Sequence, residues 1–129
     1  MRKEAQDWWE QAQHDLLVAR DMLQAGHWAV CVFYGHEACK KALKGVHIAR
    51  LRRMPPRWNN NVELASAVGA PGELVSFLRE SNNDYKASRH PDVATGVPAE
   101  MFDRRIAQER LGQAEQVMKW IRETLTGTS

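Results

Sequence analysis

Between Gly26 and the Pro55-Pro56 pair lies an unbroken stretch in which small and apolar residues return every three or four positions. Trp28, Cys31, Val32, Ala38, Cys39, Ala42, Leu43, Val46 and Ala49 share one side of a helix, with Gly35 and Gly45 on or beside it. A helix from Trp28 to about Arg53 would be roughly 40 Å long. Its small residues let neighbouring backbones come close, so it is expected to form the centre of a helical bundle. Pro55-Pro56 ends it, because proline lacks the amide donor and restrains the residue before it.

The flanking segments supply the partners. From Glu4 to Ala25, Ala5, Trp8, Trp9, Ala12, Leu16, Ala19 and Leu23 form a matching stripe, and Gly26 stands where helices commonly end in a left-handed residue. With so short a connection the first two helices run antiparallel. Asn59-Asn60-Asn61 reads as loop, and a short helix is predicted over Val62 to Val68. Pro71 opens a further helix with Leu74, Leu78, Ser81 and Tyr85 inward, which Asn82, Asn83 and Asp84 weaken. Pro91, Gly96 and Pro98 mark Ser88 to Pro98 as an ordered, irregular loop. A last helix from about Asp103 to Leu125 buries Ala107, Leu111, Ala114, Met118, Ile121 and Leu125. No strand pattern appears. The expected fold is all-α, an antiparallel bundle of four long helices plus one short helix, in a single domain over residues 1–125 with a disordered tail at 126–129.

At 129 residues, 43% hydrophobic and 26% charged, the chain suits one soluble globular unit. It has no apolar run near the roughly 18 residues of a membrane span, and MRKEAQDWWEQAQ is no secretory signal, so a cytoplasmic protein without membrane contact is expected. Cys31 and Cys39 fall about 12 Å apart along one helix, beyond the reach of about 7 Å that a disulfide allows. Both sit on the apolar side and read as inert buried thiols. Trp8, Trp28 and Trp120 fall on core stripes, whereas Trp9 and Trp58 are unassigned. The chain lacks a glycine-rich phosphate loop, a zinc-spaced Cys/His set and a close set of carboxylates. No metal, no cofactor and no nucleotidyltransferase or kinase activity of its own is expected.

The net charge is only +2, yet it is unevenly placed. Between Cys39 and Val62 lie Lys40, Lys41, Lys44, His47, Arg50, Arg52, Arg53 and Arg57, with no Asp or Glu. Lys40, Lys41, Lys44 and His47 are expected on one helix face with Phe33, Glu37, Ile48 and Leu51, a mixture that suits a subunit interface or a partner groove. Phosphate neutralisation makes nucleic acid one reading of the block, and a solvated face or an acidic protein partner the other. Apart from Trp58, no aromatic residue interleaves it for base stacking.

The stretch AVCVFYGHEACKKALKGV, preceded by LQAGH and followed downstream by NNDYKASRHPD, resembles the HEPN domain family over nearly the whole chain. Lys41-Ala42-Leu43-Lys44 matches the close of the family's helical motif. Tyr85, Ser88, Arg89, Pro91 and Asp92 match its second signature of Tyr, Ser or Thr, Arg, an aromatic, Pro and Asp. The sequence departs from the pattern in three places. Asn59-Asn60-Asn61 stands where a His often starts the third helix, Lys40 replaces an acidic residue, and His90 replaces Tyr. The resemblance implies a helical homodimer, often encoded beside a minimal nucleotidyltransferase in toxin–antitoxin or RNA-defence systems. Some branches bind nucleotide or serve as partner subunits; others are metal-independent ribonucleases whose Arg and His come from both subunits.

Two places offer such a pair. Arg20 and His27 have the loose spacing of the ribonuclease motif, but His27 opens the second helix, and spacings this loose arise by chance. The better candidates are Arg89, able to hold a phosphate bidentately, and His90, able to act as general acid or base. The competing reading is that Arg89 pairs with Asp92 or a helix end and pins the loop. The first expectation is a HEPN module that binds nucleotide, RNA or a minimal nucleotidyltransferase partner through Lys40, Lys41, Lys44, His47, Tyr85, Arg89, His90 and Asp92. The alternatives are a ribonuclease toxin using Arg89 and His90, or a purely structural partner subunit.

Overall fold

A computed structural model describes residues 2–57, 60–94 and 96–127. The helices are α1 (Lys3–Ala25), α2 (Trp28–Leu51), α3 (Asn61–Ala67), α4 (Gly72–Ala87), α5 (Pro91–Ala94), α6 (Pro98–Met101) and α7 (Arg104–Thr126). Four long helices and one short one form the expected all-α bundle. Two single turns, α5 and α6, are added inside or just beyond the segment read as irregular. No strand occurs among the described residues.

Local chemistry sets the boundaries. Gly26 takes the left-handed conformation at φ 82°, and its amide and that of His27 bond back to the last carbonyls of α1, turning the chain directly into α2. Asn60 caps α3 by accepting from the Glu63 amide, and Asp103 caps α7 by accepting from the Ile106 amide. Asn61, read as loop, opens α3 and is fully buried, its Nδ2 donating to the carbonyl of His36 on α2. Trp58 and Asn59 lie outside the described residues, as do residues 128–129. Thr126 ends α7 and Gly127 is its cap.

The core gathers around α2. Ala38, Ala42, Leu43 and Val46 are fully buried between α1, α3 and α7, with Leu64, Ala107 and Ile121 on the neighbouring helices. Trp9, not Trp8, is the buried member of the tryptophan pair; Trp8 is half-buried, with the Lys44 ammonium 4.9 Å from its ring centroid. Adjacent helical positions point about 100° apart, so only one of the two enters the core while Trp8 lies at the edge of the α1–α2 seam. α4 continues through Asn82, Asn83 and Asp84 because Arg110 of α7 donates to both Asp84 and Glu80, fastening that stretch to the bundle.

The two glycines on α2 make different contacts. A Cβ on Gly35 would meet only the Ala114 methyl at 3.7 Å, whereas one on Gly45 would lie 3.1 Å from the backbone oxygen of Ala5. Gly35→Ala is therefore expected to raise stability by about 0.5–1 kcal/mol through helix propensity. Gly45→Ala should lower it by about 1 kcal/mol, because α1 must move outward. Chemical denaturation of the two variants side by side checks the opposite signs.

Candidate functional site

α4 lays its C-terminal half across the middle of α2, and Tyr85 lands on the side chains of that helix. Its ring stacks on His36, with centroids 4.3 Å apart, and on Phe33 at 5.5 Å. Ser88 ends α4, its hydroxyl donating to the Tyr85 carbonyl at 2.8 Å, so the residue after it leaves the helix beside this stack. That residue is Arg89. Its guanidinium carbon sits 4.4 Å from the Tyr85 centroid and 5.1 Å from that of Phe33. From α2, the Lys40 ammonium approaches the same ring to 4.7 Å and lies 3.5 Å from the phenol oxygen. Two cations from distant parts of the sequence thus meet over one aromatic group.

Electrostatics follow from this packing. His36 is nearly buried, and its pKa falls from 6.5 to about 4. Loss of hydration is the main cause; Lys40 and Arg89 add to it and Glu37 opposes it. The imidazole is therefore neutral near pH 7, with Nδ1 3.5 Å from the Ser81 hydroxyl. Burial alone would raise the Glu37 carboxyl, but the Tyr85 hydroxyl, Lys40 and Lys41 outweigh it and hold the group below its ordinary value. Lys44 is shifted downward by burial first and by Lys40 next, with Glu37 opposing.

The sequence-predicted residues divide into three groups. Lys40, Tyr85 and Arg89 meet in the cluster. Lys41 and Lys44 turn toward α1, where Lys41 bonds the buried Asp15 and Lys44 lies over Trp8. His47 is buried, its Nδ1 2.8 Å from the Arg53 carbonyl, so it ties the end of α2 rather than joining a cationic face; Ile48 is buried beside it in sequence. His90 and Asp92 are exposed, and Arg89 makes its contacts with the two rings instead of Asp92. Arg20 pairs with Glu115 of α7 at 2.8 Å, giving it a bracing role between helices, while His27 sits exposed just before α2. Cys31 and Cys39 are buried free thiols, pushed up by burial to about 11 and about 12, where no reactive thiolate forms at neutral pH. No described group of His, Cys, Asp and Glu is placed to hold a metal ion, and no described helix is long and apolar enough to cross a membrane.

Sequence reasoning missed His36 as a member of the site. The only signal was its place between Phe33 and Lys40, at a helical spacing that puts all three within reach of one crossing side chain.

A family model of the HEPN domain matches residues 5–124. The chain belongs to the HEPN domain family. Among solved structures it is similar to TT1696 from Thermus thermophilus, with 30% identity and a TM-score of 0.86, over 95% of this chain and 99% of that one. It is also similar to ST0689, an archaeal HEPN homologue, with 26% identity and a TM-score of 0.78, over 94% of this chain and 97% of that one. No curated protein was found to match the chain.

Proposed function

We propose that the chain is a cytoplasmic HEPN module that binds the phosphates of RNA or of a nucleotide where α4 crosses α2, with Arg89 as the principal contact and Lys40 behind it. The observation that carries this reading is the meeting of Arg89 and Lys40 on the Tyr85 ring. Lys40 and Arg89 outnumber Glu37, the carboxylate that pairs with Lys40, so the cluster retains positive charge. Arg89 is exposed and ring-supported, which leaves its donor edges for a phosphate while limiting the freedom lost on binding. A homodimer and a minimal nucleotidyltransferase partner belong to the same reading and rest on family resemblance.

Fluorescence anisotropy with a short labelled RNA tests it. Arg89→Ala should weaken binding about tenfold and reduce the salt dependence by about one phosphate contact. Equal affinity in wild type and variant would sink the proposal. Cleavage of RNA in excess chelator, lost in His90→Ala, would replace it with the metal-independent ribonuclease.

A further inference from the structure

The fold divides the basic segment into two parts. Lys40, Lys41 and Lys44 are engaged by carboxylates or aromatic rings. The arginines that follow lack acidic compensation: among the described residues Arg50, Arg52, Arg53 and Arg57 form no ion pair with a carboxylate. Arg50 and Arg52 line a cleft at the far end of the bundle, and Arg2, just before α1, contributes a third guanidinium. Ala49, Thr124 and Leu125 complete the wall, with no acidic side chain among them. The cleft is open to solvent on one side and offers about 500 Å³, within the ordinary range of small-molecule sites.

The charge there exceeds what the helices require. α2 and α7 both end at the cleft, and each carbonyl end is worth roughly half a negative charge. Three permanently charged guanidiniums therefore leave an excess of about +2 before the positive start of α1 is added. One guanidinium is held in place and a second is carried on an unusual backbone position. Arg50 donates to the Val68 carbonyl and lies 5.7 Å from the Trp120 centroid. Arg52 occupies the left-handed position that ends α2, at φ 57° and ψ 32°. It is the one described residue other than glycine with positive φ. That position usually holds glycine, and a residue with a Cβ gives up about 1 kcal/mol there.

We propose that this cleft is a binding site for a chain of linked phosphates, either inorganic or carried by a nucleotide. A guanidinium fork matches the oxygens of one phosphate, so several forks around one cleft call for adjacent phosphates rather than a single one. The Thr124 hydroxyl adds a neutral donor. The site is separate from the Tyr85 cluster, since the rise from His36 to Arg50 along α2 is roughly 20 Å.

Calorimetric titration of the full chain with inorganic triphosphate, ATP and AMP tests the proposal at low and moderate salt. Triphosphate and ATP should bind, AMP should bind at least tenfold more weakly, and affinity should fall with salt. Arg52→Gly should weaken triphosphate about tenfold while the thermal midpoint holds or rises, because glycine suits the left-handed turn. Arg2→Gln should weaken it in the same direction, and Arg105→Gln, exposed on α7 outside the cleft, should leave it unchanged. ATP binding tighter than triphosphate, with the same dependence on Arg52, would identify a nucleotide as the source of the phosphates. The proposal is overturned if triphosphate does not saturate the protein at millimolar concentration, if AMP matches ATP, or if Arg52→Gly binds normally. Loss in Arg89→Ala alone would assign the phosphates to the Tyr85 cluster, overturning the cleft and sparing the function proposed above.

Discussion

Lys41→Met is expected to lower the stability of the fold by about 3 kcal/mol, enough to drop its thermal midpoint by about 10 °C. The Lys41 ammonium bonds the Asp15 carboxylate across the α1–α2 interface, and the Asp15 side chain is only 4% exposed. Methionine keeps most of the volume and removes the charge, so the loss comes from a buried carboxylate left with one neutral donor, Gln11 Nε2 at 3.0 Å. Asp15→Ala should do less harm. Lys41 is a quarter exposed and keeps Glu37 3.8 Å away, so its charge remains partly solvated and partly compensated. Replacing both, with Asp15→Leu and Lys41→Met, should recover most of the stability lost in Lys41→Met, because two apolar side chains of suitable size leave no charge stranded. Urea denaturation of the two single variants and the double variant measures the coupling directly. Equal losses for the two single changes would show that simple packing, and not a stranded carboxylate, governs the site.

That ion pair also shows where reading a sequence one helix at a time stops working. The helices themselves are legible: Gly26 and Pro55-Pro56 bracket α2 through backbone constraints that need no tertiary information, and the stripes on α1, α2 and α7 together identify most of the core. Which element covers a given face is different. Lys40, Lys41, Lys44 and His47 look like one basic face by periodicity, yet α1 takes Lys41 and Lys44, α4 meets Lys40, and the turn after α2 takes His47. The partners from α1 and α4 lie far away in sequence, so no local window contains the whole answer. The same holds for the aromatic stack, whose two halves, Phe33 with His36 and Tyr85 with Arg89, are separated by the whole of α3. Family resemblance drew attention to Tyr85 and Arg89 as a motif, whereas only the crossing of α4 over α2 joins them to His36. The arginines at the end of the basic block were visible as charge. Their convergence with Arg2 depends on the N-terminus of α1 lying beside the C-termini of α2 and α7.

The burial of His36 makes acid stability the second large effect. In the unfolded chain the imidazole titrates near 6.5, and in the fold it does so at about 4. Between those values the unfolded state binds more protons, so stability is fully present above pH 6.5 and is lost as the pH falls toward 4. The shift corresponds to roughly 3 kcal/mol by the lower limit of that window. Lys40 and Arg89, both over the Tyr85 ring that stacks on His36, oppose its protonation and Glu37 favours it, so protonation would add a third cation to an already positive cluster. His36→Gln removes the titrating group. Its stability at pH 7 should be lower than that of the wild type, since the stack on Tyr85 is lost, but its decline between about pH 6.5 and 4.5 should be shallower by about 2–3 kcal/mol. Urea midpoints taken at half-unit pH steps on both proteins give the two slopes, and parallel curves would mean that His36 titrates alike in the folded and unfolded states. If the slopes separate as expected, Arg89→Ala should recover a small part of the acid loss, because one of the charges that opposes protonation of His36 is then gone.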